Sequence, residues 1–195
     1  LITMLAFAAN SLLCREALAA GHIDASSFTL VRIVSGALVL SMLLLIQFRC
    51  YTLGGSWLAA AALFGYAAAF SFAYVSLSAG TGALLLFGAV QTTMIGYGLW
   101  RGERLSHLQI SGAIAASTGL IWLMLPGVEA PPLLGALIMI TAGVCWGVYS
   151  LLGRNAREPS VATAGNFLRA TPFAVILFLL MRDSQPVTNL GLAYA

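Results

Sequence analysis

The sequence contains no lysine; all nine of its basic residues are arginine. That absence excludes a phosphate-loop lysine, a Schiff-base lysine and a serine–lysine dyad. Charge of either sign is scarce: 8% of residues are charged against 61% hydrophobic, and mean hydropathy is +0.97. A soluble domain carries roughly 25% charged residues, because its surface must be solvated by water. This chain cannot build such a surface, so its exterior faces lipid. Cysteine is limited to Cys14, Cys50 and Cys145, scattered singly, and histidine to His22 and His107, both beside expected loops. These spacings match neither a metal site nor a disulfide framework, and no cofactor is expected. A net charge of +3 in so apolar a chain gives no case for nucleic acid.

What the sequence does have is long apolar runs. A helix crossing the bilayer core needs about 20 mostly apolar residues. Reading runs between polar, glycine and proline punctuation gives seven, at 1–20, 27–47, 56–77, 81–100, 106–125, 132–153 and 160–181. The expected fold is an all-α integral membrane bundle with seven transmembrane helices. Connections such as "SAG" and "RGERLS" are short enough to force neighbouring helices antiparallel. From the run already under way at Leu1 and the pattern resuming at Leu190, a segment of a longer chain is expected, with "NLGLAYA" expected to open an eighth helix.

Orientation follows from where arginines gather. Loops after spans two, four and six hold Arg49, Arg101, Arg104, Arg154 and Arg157; loops after the odd spans hold Arg15 and Arg182. The first set, and with it the N-terminus, is expected in the cytoplasm, in a multi-pass protein of the inner membrane.

A heptamer recurs. "SLLCREA" at 11–17 and "SLLGRNA" at 150–156 agree in five of seven letters, at an offset of 139. "TLVRIVSGALVL" in span two resembles "NFLRATPFAVIL" in span seven, with Arg32 and Arg169 offset by 137. Five crossings separate Ser11 from Ser150, so the copies run in opposite directions. Inverted repeats of this kind are a recurring plan of secondary transporters.

The chain resembles the EamA-like members of the drug/metabolite transporter superfamily. Three stretches carry the resemblance: "GERLSHLQISGAIAASTGLIWL" at 102–123, "FAANSLLCR" at 7–15 and "WGVYSLLGR" at 146–154. Phe7 and Tyr149 depart from the family's Trp-Gly-x-Asn pattern, and Val90 stands where the family often has proline. The resemblance implies two inverted five-helix repeats, the first over 1–126 and the opening part of the second over 127–195. It also implies export of a small metabolite or drug-like solute by alternating access.

Candidate substrate-binding residues follow from what lipid cannot satisfy. Asn10 and Gln91 carry amides at mid-span and belong in the bundle interior. Arg32 and Arg169 sit a turn or two inside their spans, either snorkelling to the interface or turned inward. Tyr66, Phe70 and Tyr74 recur every four residues, lining one face of span three, and Tyr66 and Tyr74 bring hydroxyls. Trp146 and Tyr149 hold the positions equivalent to Phe7 and Asn10. Gly143 and Gly147 form a small-xxx-small pair for close helix packing. Glu103 is expected to satisfy open amides at the start of span five.

The partners expected are a small-molecule solute and the lipid bilayer. The alternatives are an intramembrane lipid-modifying enzyme and a non-transporting scaffold. No metal-binding HExxH motif, pair of intramembrane acids or histidine-rich cluster points to catalysis, so no enzyme is expected.

Overall fold

The structure, a computed structural model, describes residues 2–48, 54–124, 131–181 and 188–195. An apolar run in lipid must close its backbone hydrogen bonds internally, and these runs do so as helices. They are α1 (Ile2–Ala19), α2 (Ala25–Phe48), α3 (Trp57–Tyr74), α4 (Ala79–Trp100), α5 (His107–Met124), α6 (Leu133–Gly153), α7 (Pro159–Met181) and α8 (Asn189–Tyr194). No strand occurs among the described residues. The first seven match the expected spans to within a few residues, and α8 opens in "NLGLAYA".

Five of them, α2, α3, α4, α6 and α7, are long and apolar enough to cross a membrane. The chain is a multi-pass membrane protein. The sequence reading expected seven crossings. α1 and α5, the other two expected crossings, are not among these five.

Helix starts are set by short polar side chains that satisfy first-turn amides. Ser56 accepts from Ala59 N before α3, and Thr188 accepts from Gly191 N before α8. Asp24 precedes α2 and accepts from Ser27 N at 2.9 Å. Burial would raise its carboxyl, but hydrogen bonds from Ser26 and Ser27 outweigh that and hold it below the ordinary range. At α5 the cap is reciprocal: Ser106 N donates to Gln109 Oε1 at 2.8 Å, and Gln109 N donates to Ser106 Oγ at 3.3 Å. That capping box replaces the role expected of Glu103, whose carboxylate lies 3.8 Å from Arg154.

Contacts sort the helix ends into two groups. Arg15, late in α1, donates to the carbonyl of Tyr74 at the end of α3. Gly135, early in α6, lies against Ser76 and Leu77 just past α3, and His22 meets Thr188 before α8. These define one end. At the other end, Ser56 N donates to Asn166 Oδ1, and Glu103 pairs with Arg154. α1 therefore finishes where α6 begins, and the two run in opposite directions.

The core is built around α3, which packs against α6, α7 and α2. Close approach depends on small residues. A Cβ on Gly143 would lie 2.5 Å from Ala89 Cβ and 2.6 Å from Leu86 O, so α4 and α6 meet nearly backbone to backbone. Gly147 abuts Thr93 one turn on. α4 runs unbroken through Val90. α5 is set apart, packed on α4 with Leu108, Ile114 and Trp122 exposed.

Candidate functional site

Five helices leave a cavity of about 580 Å³ between them. α1 contributes Asn10; α2 contributes Arg32, Ile33, Ser35 and Gly36; α3 contributes Leu63, Tyr66 and Ala67. α6 adds Trp146 and Tyr149, and α7 adds Thr163 and Phe167. Its size falls within the range of small-molecule sites, and its wall is mostly apolar with a few polar groups, the usual composition of such sites.

The polar chemistry centres on Arg32. Its Nη2 donates to Tyr66 Oη at 3.1 Å, and its Nη1 lies 3.9 Å from Cys14 Sγ. The guanidinium carbon sits 5.5 Å from the Tyr66 ring centroid and 4.9 Å from that of Phe70. Both are cation–π distances. Arg32 is thus turned inward over aromatic faces and does not snorkel. The aromatic wall continues from Tyr66 to Trp146 at 4.6 Å between centroids and from Trp146 to Tyr149 at 5.5 Å.

Arg32 lies seven residues into α2, roughly 10 Å from the end marked by His22 and Thr188 at about 1.5 Å per residue. Between it and that end the bundle is packed solid. Phe28, Phe70, Tyr74 and Leu77 are all 1% exposed or less, and the Thr29 and Ser71 hydroxyl oxygens are 3.0 Å apart. Trp146, Tyr149, Thr163 and Phe167 lie on the opposite side of Arg32, toward the end marked by Ser56 and Asn166.

Of the eight candidates, the cavity gathers Asn10, Arg32, Tyr66, Trp146 and Tyr149. Tyr74 is fully buried in the packed layer: its hydroxyl donates to Ala79 O at 3.2 Å, and its ring stacks edge-on against Phe70. Arg169 is held by backbone. Its Nη1 donates to the carbonyl of Gly54, and to that of Gly165 at 3.1 Å. Gln91 is exposed and lines a separate groove between α4 and α5, with Phe87, Thr92 and Ser117.

Sequence reasoning missed Ser35, Gly36, Thr163 and Phe167. A helical projection from Arg32 brings out two of them, Ser35 three residues on and, on the same face four residues on, Gly36. Its missing side chain is what admits the Phe167 ring: a Cβ there would lie 2.5 Å from Phe167 Cε1.

No family model matches the chain, and no solved structure matches it. It is 55% identical over 195 residues to the uncharacterized protein PA1977 of Pseudomonas aeruginosa, an alignment covering all of this chain and 68% of that protein. The chain belongs to the family of that Pseudomonas protein.

Proposed function

We propose that the chain forms one five-helix repeat and the opening of a second in a secondary transporter of the EamA-like drug/metabolite type, and that it exports a small organic solute by alternating access. The observation carrying this reading is the cavity, walled by α1, α2 and α3 from one repeat and by α6 and α7 from the other. Midplane sites at a repeat interface are where such transporters hold their cargo.

The helix contacts favour the same plan. Exchanging α1 with α6, α2 with α7 and α3 with α8 turns the α3–α6 contact into α8–α1, and both occur. It turns α2–α7 into itself and α3–α7 into α8–α2, which also occurs. Caps follow the exchange too, since Ser56 and Thr188 each accept from the amide three residues on. The solid layer on one side of Arg32 and the cavity on the other are what a state closed to one end requires. On the arginine distribution, the closed end faces outward and the N-terminus is cytoplasmic.

The test is solute flux. The purified full-length protein is reconstituted in proteoliposomes and screened against small apolar and amphipathic organic solutes. Saturable flux that falls in Tyr149→Ala and Trp146→Ala, with helical content unchanged, supports a transporter. Absence of any protein-dependent flux across the panel would defeat it.

A further inference from the structure

We infer that the cavity takes an organic anion, an apolar body bearing one carboxylate-like group that Arg32 receives. The inference rests on reading the cavity as a solute site and adds the charge of the solute.

The first observation is that Arg32 has no anionic partner. No carboxylate lies within ion-pair distance of it among the described residues, where the ion pair formed is Arg154 with Glu103. The groups around the guanidinium are the Tyr66 hydroxyl, the Cys14 thiol and the faces of Tyr66 and Phe70. A guanidinium has five N–H donors in a planar fork, and this set takes up few of them.

The second observation is independent of charge. Asn10, Trp146 and Tyr149 line the same cavity, and none of their side chains has a hydrogen-bond partner among the described residues. Arg32 and Trp146 can only donate, while Asn10, Tyr66 and Tyr149 can donate or accept. No side chain in the lining can only accept. A wall so biased toward donation complements a group made of acceptors, and the planar fork fits a carboxylate in two-point contact. Leu63, Ile33 and Phe167 supply the apolar surface for the remainder of the molecule.

Arg169 serves as an internal contrast. One of its nitrogens, Nη1, donates to the carbonyls of both Gly54 and Gly165, and the side chain lines no part of the cavity. Two intramembrane arginines are therefore placed differently: Arg169 is tied to backbone carbonyls, and Arg32, with no carbonyl or carboxylate on it, stands at the cavity wall.

The experiment is calorimetric binding to the full-length protein in neutral detergent, using phenylpropionate, phenylbutyrate and hexanoate, each beside its own carboxamide. The acids should bind at least about tenfold more tightly than the amides, the scale of a charge-assisted hydrogen-bond pair. Arg32→Gln should erase that preference by weakening the acids far more than the amides, and Arg32→Lys should restore part of it. The acid–amide comparison in the unaltered protein stands even where a variant fails to fold. Equal binding of acids and amides, or no binding of any acid at millimolar concentration, overturns the inference. Displacement of the acids by added phosphatidylglycerol would make a lipid the occupant and overturn it as well. The same pairs are then followed in proteoliposomes. Tight acid binding with no flux removes the transporter reading and leaves the anion site, whereas flux of acids and amides alike does the reverse.

Discussion

Adding a single methyl group at Gly143 tests how α4 and α6 are held together. In Gly143→Ala the new Cβ would fall 2.5 Å from Ala89 Cβ and 2.6 Å from Leu86 O. Neither neighbour can rotate away, one being a methyl fixed to the backbone and the other backbone itself. The helices must separate by roughly 1 Å to restore ordinary contact, and a gap of that size forfeits a quarter to a half of the dispersion attraction across it. In lipid, packing of this kind is much of what holds two helices together. Overpacking costs about 1–3 kcal/mol, and two rigid clashes place this case near 3. Alanine recovers about 1 kcal/mol through its better helix propensity, leaving a net loss of about 2 kcal/mol.

Gly147→Ala meets Thr93 Cβ at 2.8 Å, which is fixed to its backbone, and Cγ2 at 2.9 Å, which can turn; with the nearest backbone atom, Val90 O, at 3.4 Å it should lose less, about 1 kcal/mol. Gly153 has nothing within 4 Å of an added Cβ, so Gly153→Ala should match or exceed the unaltered protein. The order is read from reversible unfolding in mixed micelles, followed by helical circular dichroism. A Gly143→Ala protein as stable as Gly153→Ala would refute the close packing of α4 and α6.

Arg169→Met should lose about 2–3 kcal/mol of stability, the scale of hydrogen bonds from a charged group, and leave solute binding unchanged, as the same unfolding assay and calorimetry will show. Asn10→Leu should weaken solute flux several-fold, whereas Gln91→Leu should leave it within error of the unaltered protein because Gln91 faces the α4–α5 groove. Asp24 has a carboxyl lowered in the fold, so its contribution is present above its unfolded value of about 3.9 and is lost as pH falls through the lower folded value. Asp24→Asn should flatten that part of the acid-unfolding curve and lose the same contribution at neutral pH.

Helix positions were legible because lipid leaves the backbone no alternative, and a run of apolar residues between punctuation marks a helix nearly residue by residue. The cavity was legible in part for a related reason. Asn10, Arg32, Tyr66, Trp146 and Tyr149 follow from asking which polar atoms hydrocarbon cannot satisfy, or which positions match such atoms across the repeat. The same question misplaced Tyr74 and Arg169, because a polar side chain can also be satisfied by a backbone carbonyl of another turn. Ala79 O and Gly54 O do that here, and nothing in the sequence marks them as acceptors. Gln91 failed differently: the groove between α4 and α5 gives an amide a place outside the central bundle. Thr163 and Phe167 carry no charge or amide to attract notice, and their placement depends on how α7 crosses α2.

Magnitudes decide what holds Arg32 at its position. Removing a charge from water costs several kcal/mol even after the surroundings relax. Against that, a cation–π contact returns about 0.5–2 kcal/mol and a hydrogen bond to a charged group about 1.5–3. Arg32 has two rings, one hydroxyl and a distant thiol, a sum that at best roughly offsets desolvation and leaves several N–H groups unused. The remainder must be met from the cavity, by water in the empty state and by a solute in the loaded one. An anion meets it better than water does, because it brings an opposite charge into a space walled by hydrocarbon and aromatic rings, where Coulomb attraction is weakly screened. Arg169 is met differently. Its Nη1 donates to Gly54 O and Gly165 O, charge-assisted bonds to the backbone that tie α7 to the segment that starts α3. One arginine is anchored to the backbone of the bundle, and the other stands at the wall that an entering solute meets.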